Sequence, residues 1–495
     1  MNISEGGLPV DNNHKPKLQL SKDRTVISRW LFYIAVYIII FALVSPISPL
    51  SDDWYYLTAP NPDFTMSDLL PGSSFWRPFD ALFGGLMGFM PALFPAINRA
   101  AVILAHVLNA VFLDGILKKM EIRHRRFAVC YFLFSSATWA VTVSPDALNQ
   151  AYSVLFGLMA IYIHLKKGGY FYLFLCTVAL LWKESGISWF FVIPIMDAVM
   201  GGKTWIGFTK NPKLVKRCIL ETLLSVGAVC AYFAVRFLLY GSITLGGDSG
   251  RYHVSLLSLS TIKNAVMLFA SAGSGVDSIA LFSNTPSMPL AAITVMLSLV
   301  FLVMWICCVI QLLRQKKELF ALTGIVLCVL GLAAPLCIIG SAGEMHAYPV
   351  LCAITFLYSF CFDRAQISPK KMAVATVCIF LAFTISSTHK LISIYDYSER
   401  TQVLTQNLKN CYTEQSGAVL FVEIDGWEGY SVFNQSALTG TSDGFSLRPY
   451  YSWQELKHSQ YSAKSREDAL AYIQQHRDAY TSIFLIQGET VQKMK

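Results

Sequence analysis

Long apolar runs separated by short polar turns recur from Trp30 to about Ser387. Most approach the ~20 residues that a helix needs to cross a ~30 Å hydrocarbon layer. The pattern predicts eleven spans: 30–44, 96–117, 127–143, 151–165, 170–183, a run ending near 199, 218–240, 289–313, 319–339, 346–362 and 373–387. The fifth run reaches Lys183-Glu184 after too few residues for a full crossing, so those two charges read either as lying within the bilayer thickness or as part of the outer connecting turn. Residues 78–95 are apolar but short and bracketed by prolines, and 264–282 are only moderately apolar. The first is read as a helix lying at the interface or partly re-entrant, with an additional span as the alternative, and the second as interfacial.

Basic residues fix the direction. Lys118, Lys119, Arg123, Arg125 and Arg126 follow the second span; Lys166 and Lys167 the fourth; Lys203 to Arg217 fill the loop before the seventh; Arg314, Lys316, Lys317, Arg364, Lys370 and Lys371 follow later spans. Such turns face the cytoplasm. The N-terminus is therefore expected inside and the C-terminus outside, in a multi-pass protein of a bacterial inner membrane. Residues 1–29 read as a disordered basic leader, and 30–394 as the membrane domain with outer loops 45–95 and 241–288. Residues 395–495 read as a soluble extracytoplasmic α/β domain. There, Val419–Ile424 and Thr481–Ile486 have strand character, and Ser465 with Asp468 predicts a capped helix over the following residues.

Composition agrees with this fold class: an all-α polytopic membrane protein with a small α/β tail. The 495 residues are 54% hydrophobic and 14% charged, against roughly 25% charged in soluble domains. The net charge of +8 sits in the turns, where it sets topology and does not suggest nucleic acid as a partner. The 12 cysteines include no CxxC pair and lie mostly in apolar runs, which predicts no disulfide framework.

The candidate chemistry gathers on the outer side. Asp52 and Asp53 follow the first span directly, and Trp54 and Tyr55 follow them. One carboxylate can serve as a general base while its neighbour binds a hydroxyl or orients the base, and the aromatics suit the apolar face of a sugar ring. An ordinary solvated loop with headgroup aromatics is the alternative. Arg77, Asp146, Lys183, Glu184, Arg251, His253, Glu344 and His346 occupy boundaries that the topology places on the same side. Cations there suit a phosphate-bearing lipid, and each taken alone also reads as a headgroup contact. Adjacent residues do not face one another on a helix, so Lys183 and Glu184 are not expected to pair with each other. Asp52, Asp53 and Asp146 are compatible with Mg²⁺ or Mn²⁺, but no spacing demands a metal.

The Asp52-Asp53 pair, Arg77-Pro78, the Lys183-Glu184 step and the Glu344-to-Pro349 element together resemble the GT-C superfamily of polyprenyl-phosphate-sugar-dependent glycosyltransferases. The chain is similar in this to bacterial O-antigen glucosyltransferases, aminoarabinose transferases and protein O-mannosyltransferases. The resemblance implies inverting transfer of a hexose or pentose from a polyprenyl-phosphate carrier to an envelope glycan (O-antigen or lipopolysaccharide), lipid or protein acceptor. An Asp of the first outer loop would act as base, with no required cofactor. The family element before the tenth span usually carries an arginine, where this chain has Met345-His346; Arg251 or Lys183 would then take the donor phosphate. A transporter or lipid-linked sugar flippase is the competing expectation, but it predicts paired broken helices in two repeats. Only the Lys183 region reads as broken.

Overall fold

The computed structural model describes residues 15–48, 76–88, 95–241, 258–276, 287–316, 318–340, 342–411, 418–424 and 458–495. In chain order the helices are α1 (Lys15–Val44), α2 (Pro78–Gly88), α3 (Ala96–Lys119), α4 (Arg125–Phe134), α5 (Trp139–Val143), α6 (Leu148–Lys167), α7 (Phe171–Trp182) and α8 (Trp189–Gly202). They continue with α9 (Trp205–Thr209), α10 (Pro212–Tyr240), α11 (Leu259–Gly273), α12 (Met288–Gln315), α13 (Leu319–Cys337), α14 (Ala347–Arg364) and α15 (Pro369–Cys411). The tail holds β1 (Val419–Ile424), β2 (His458–Ala463), α16 (Arg466–His476), β3 (Ser482–Gln487) and β4 (Thr490–Lys493).

Among the described residues nine helical segments are long and apolar enough to cross a membrane, and the α4–α5 pair, bent by 49°, makes a tenth. With the shorter apolar α7, each of the eleven predicted runs forms helix in the expected order. The basic turns lie at one end of the bundle, called here the basic end; α1 stops at the opposite, exit end. α2 and α11 are the short helices read as interfacial. The last turn of α11 is nonetheless drawn into the interior, where Tyr131 and Tyr358 donate hydroxyl hydrogen bonds to the carbonyls of Ala272 (3.1 Å) and Gly273 (2.7 Å).

Burial sorts the helices. In α14 every residue from Ala347 to Asp363 is buried, as expected of a helix that is apolar all round. α1, α10 and α12 bury only 22% of their apolar windows and expose Leu, Ile and Val side chains. These form the lipid-facing wall, since a backbone closed by its own hydrogen bonds needs only apolar side chains toward hydrocarbon.

Two elements run further than the sequence pattern indicates. α1 begins at Lys15, inside the stretch read as a disordered leader. Pro16 is tolerated in a first turn, and no glycine or proline follows to stop a helix already nucleated by the span. α15 continues through the expected boundary near Tyr395 to Cys411, giving 43 residues or about 65 Å. No glycine or proline follows its first residue.

The end of α15 carries a four-stranded sheet in the order β2-β1-β3-β4, parallel except for the β3–β4 hairpin. Alternation along β1 explains how it is covered on both faces. Val419 and Phe421, with Phe484 and Ile486 of β3, join the core shared with α15, whereas Leu420 and Val422 pack with Ala469 and Ile473 of α16. Ser465 caps α16 by accepting from the Asp468 amide (3.2 Å), and Asp468 reaches back to the Lys464 amide (3.0 Å). Arg400 of α15 binds Glu489 in the β3–β4 turn (2.5 Å) and holds its carboxyl below the ordinary range.

Candidate functional site

α7 is only 12 residues long, about 18 Å, so its far end stops short of a ~30 Å layer. The chain turns there through Lys183, in extended backbone (φ −156°, ψ 140°), into a 3₁₀ segment, Glu184–Ser188, that leads to α8. Gly186 makes this turn feasible. A Cβ at that position would lie 2.5 Å from the carbonyl oxygen of Ala179, because the segment folds back onto the last turns of α7.

α2 is laid against this turn by aromatic stacking. Phe79 stacks on Trp182 (5.7 Å between centroids), which stacks on Tyr152 (4.8 Å), and Trp76 stacks on Tyr232 of α10 (5.2 Å). Between Trp76 and Phe79, Arg77 donates from Nε and lies with Nη2 at the same Glu184 Oε2, each at 2.9 Å. Glu184 Oε1 is buried and has no hydrogen-bond partner among the described residues.

Lys183 and Glu184 thus turn to different partners. Lys183 Nζ donates to Asn149 Oδ1 (3.0 Å), and Asn149 Nδ2 donates to Asp80 Oδ2 (3.3 Å). Asp146, one turn before Asn149 at the start of α6, contributes to the electrostatic surroundings of Lys183 together with Arg77, Asp80 and Glu184. Arg236 is completely buried in the last turns of α10, and the Tyr232 hydroxyl one turn earlier lies in the combined field of Arg236, Glu184 and Arg77. Four predicted residues, Arg77, Asp146, Lys183 and Glu184, therefore converge at the exit end.

Glu344 and His346 belong to a different group. Glu344 is buried in an ion pair with Lys390 of α15, which also donates to the Ser136 carbonyl (2.6 Å). His346 Nδ1 accepts from the Gly343 amide (2.9 Å) and is held inside its own turn. Near these elements, buried Arg99 of α3 donates to the carbonyls of Ile47, Ser48 (3.0 Å) and Val143 (2.8 Å). Ser48 is further tied to Ser398 of α15 through its amide (2.8 Å) and hydroxyl (3.0 Å to the carbonyl). The chain leaves the described region from this fixed point, four residues ahead of Asp52. Asp52, Asp53, Trp54, Tyr55, Arg251 and His253 lie outside the described residues.

No protein-family model and no curated protein matches this chain. A solved structure does: ArnT from Cupriavidus metallidurans bound to undecaprenyl phosphate matches with a TM-score of 0.51 over 94% of this chain and 97% of that one, at 11% identity. The fold is therefore like that of ArnT. At this identity the match establishes architecture, and the arrangement of the site is this chain's own.

Sequence reasoning missed Asp80, Asn149, Tyr232, Arg236, Arg99 and Lys390. Arg236 and Lys390 carried a usable signal, an ionisable residue in or beside an apolar run, which is costly unless paired or functional. Asn149 carried a weaker one: it lies three residues after Asp146 and so close to it on the same side of a helical start.

Proposed function

We propose that this protein is a glycosyltransferase that moves a sugar from a polyprenyl-phosphate carrier to an envelope acceptor at the exit end of the bundle, on the extracytoplasmic side of the inner membrane. The observation that carries the reading is Lys183. Its ammonium lies at a recessed helix break, held by the neutral oxygen of Asn149 and, among the described residues, by no carboxylate, within a fold like that of ArnT. An ammonium with two remaining donors can take a phosphate without first breaking an ion pair. The ArnT match adds support, because that protein was crystallised with undecaprenyl phosphate.

In this reading the lipid donor enters laterally from the membrane, and Lys183, with Arg77 and Arg236 nearby, stabilises the charge that grows on the departing phosphate. Such a phosphate leaves as an anion and needs charge stabilisation more than a proton. Glu184 Oε1, the acceptor left open when Oε2 binds Arg77, receives a hydroxyl of the donor sugar. Asp52 or Asp53 removes the proton of the acceptor hydroxyl as its oxygen attacks the anomeric carbon from the face opposite the phosphate, inverting the configuration. Trp54 and Tyr55 flank the sugar. Envelope glycan, including O-antigen, and lipid are the acceptor classes this arrangement suits.

The test is sugar transfer by purified protein from polyprenyl-phosphate donors, comparing wild type with D52N and D53N. Loss of the base lowers turnover by roughly 10²–10⁴-fold in one of the two. Full activity in both variants eliminates the base assignment, and absence of transfer from any polyprenyl-phosphate sugar by wild type eliminates the enzyme reading.

A further inference from the structure

A second buried polar group lies at the basic end, between the spans α6, α8 and α10. His164, Asp197 and Glu221 come from the three helices in that order, and their ligand atoms all lie within 4.8 Å of one another. Glu221 is 1% exposed, His164 4% and Asp197 8%.

The tautomer of His164 is fixed by its neighbour. The turn between α6 and α7 passes through Gly168 and Gly169, both at positive φ (67° and 78°), and returns the Gly169 carbonyl to 3.1 Å from His164 Nδ1. A carbonyl only accepts, so Nδ1 carries the proton and the neutral ring presents a lone pair at Nε2. That lone pair looks at two further acceptors, Asp197 Oδ1 at 3.0 Å and Glu221 Oε1 at 3.7 Å. Three electron-rich atoms facing one point need a positive charge among them. Arg217 supplies part of it from the rim, with Nη2 2.5 Å from Asp197 Oδ2 and 3.0 Å from His164 Nε2, and Nε 2.9 Å from Glu221 Oε1. Its side chain is 45% exposed. One guanidinium nevertheless faces two carboxylates, and Glu221 Oε2 is buried with no hydrogen-bond partner among the described residues.

We propose that His164, Asp197 and Glu221 form a binding site for a transition-metal dication of the zinc class, with Arg217 swinging outward when the ion binds. One imidazole and two carboxylates are a donor set for zinc, whereas magnesium and calcium favour oxygen alone. Bonds of about 2.1 Å in a tetrahedron put ligand atoms about 3.4 Å apart, and the observed 3.0 and 3.7 Å bracket that spacing. The Nδ1–H to carbonyl bond is the outer support that metal-bound histidines use to fix ring orientation. The bound ion would lock three spans whose chains lead, at the other end, to Asn149, Glu184 and Arg236. The site lies at the opposite end of these spans from the sugar-transfer residues, and its existence does not depend on the proposed activity.

The experiment uses the full-length protein in detergent, stripped with chelator, equilibrated with Zn²⁺ and freed of excess ion, with metal counted by mass spectrometry and melting followed in parallel. About one zinc per chain is expected in wild type, with a higher melting temperature, and less than about 0.1 in His164→Ala or the isosteric Glu221→Gln. Equal Mg²⁺ does not raise the melting temperature. Arg217→Gln, which removes the competing cation, binds zinc more tightly than wild type. A wild-type protein that retains no zinc overturns the proposal and leaves a proton on Nε2, donated to Asp197 Oδ1, as the occupant. Unchanged zinc content in Glu221→Gln and His164→Ala also overturns it, as does loss of zinc from a monodisperse Arg217→Gln protein. Size-exclusion elution identifies any variant that has failed to fold, and wild-type stoichiometry decides the question without the variants.

Discussion

At the exit end Lys183 is held by the neutral amide of Asn149, whereas at the basic end Arg217 is held between the carboxylates of Asp197 and Glu221. The two groups are set among the same helices, α6, α8 and α10, with α7 and α2 adding to the first. Both are polar assemblies in an apolar layer, where unmatched charge is costly. Their balance differs. A cation with a neutral partner stays available to an incoming anion, and carboxylates in excess of cations stay available to an incoming cation. The partner of a buried charge, more than its identity, indicates what the site can receive.

That contrast can be broken at its strongest point by Lys183→Met, which removes the ammonium and keeps most of the side-chain volume. kcat/KM for a polyprenyl-phosphate sugar is expected to fall about 10²–10³-fold, the scale of losing one positioned donor to a developing anion. A fall of less than threefold would mean that the Asn149-held lysine is merely structural. A smaller effect is expected for the Arg77–Glu184 pair, which is partly open to solvent (side chains 20% and 10% exposed). A double-mutant cycle with Arg77→Met and Glu184→Gln, read by thermal or denaturant unfolding, should give a coupling of roughly 1–2 kcal/mol. A coupling near zero would detach α2 from the α7–α8 turn as a positioning element.

The smallest effect concerns Arg400 and Glu489, where α15 meets the β3–β4 turn. The Glu489 carboxyl is depressed in the folded protein by its bond to Arg400. Its contribution is therefore fully present above the unfolded carboxylate pKa of about 4.3 and is lost as the pH falls through the folded value below it. Hydrogen exchange at β4 should stay level from neutral pH to about 4.5 and lose protection below that. The Arg400→Gln protein should show no such step.

The membrane fold was legible because run length is nearly sufficient to define a span, and basic turns mark one end. The continuation of α15 was not. Beyond Ser387 its apolar positions serve the bundle first and then the sheet, so hydropathy falls while the helix goes on. Strands β1 and β3 were visible as short branched and aromatic runs; β2, His-Ser-Gln-Tyr-Ser-Ala, carries no such pattern and is a strand because β1 pairs with it. In the site, the sequence singled out Lys183 and Glu184 by the shortness of the run before them. It had no means to show that Glu184 meets Arg77 across 107 residues or that Lys390 meets Glu344. Arg236 went unremarked because one charge barely lowers the hydropathy of a 29-residue apolar helix.

α15 also has a mechanical consequence. A helix of about 65 Å with no glycine or proline after its first residue has no built-in hinge. It packs on α12 within the bundle, ties Ser48 through Ser398 and bears the sheet through Arg400. A tilt of ~10° about one end of such a rod displaces the other by ~11 Å. Whatever grips the sheet from outside therefore pulls directly on Ser48, the anchor from which the chain sets out toward Asp52.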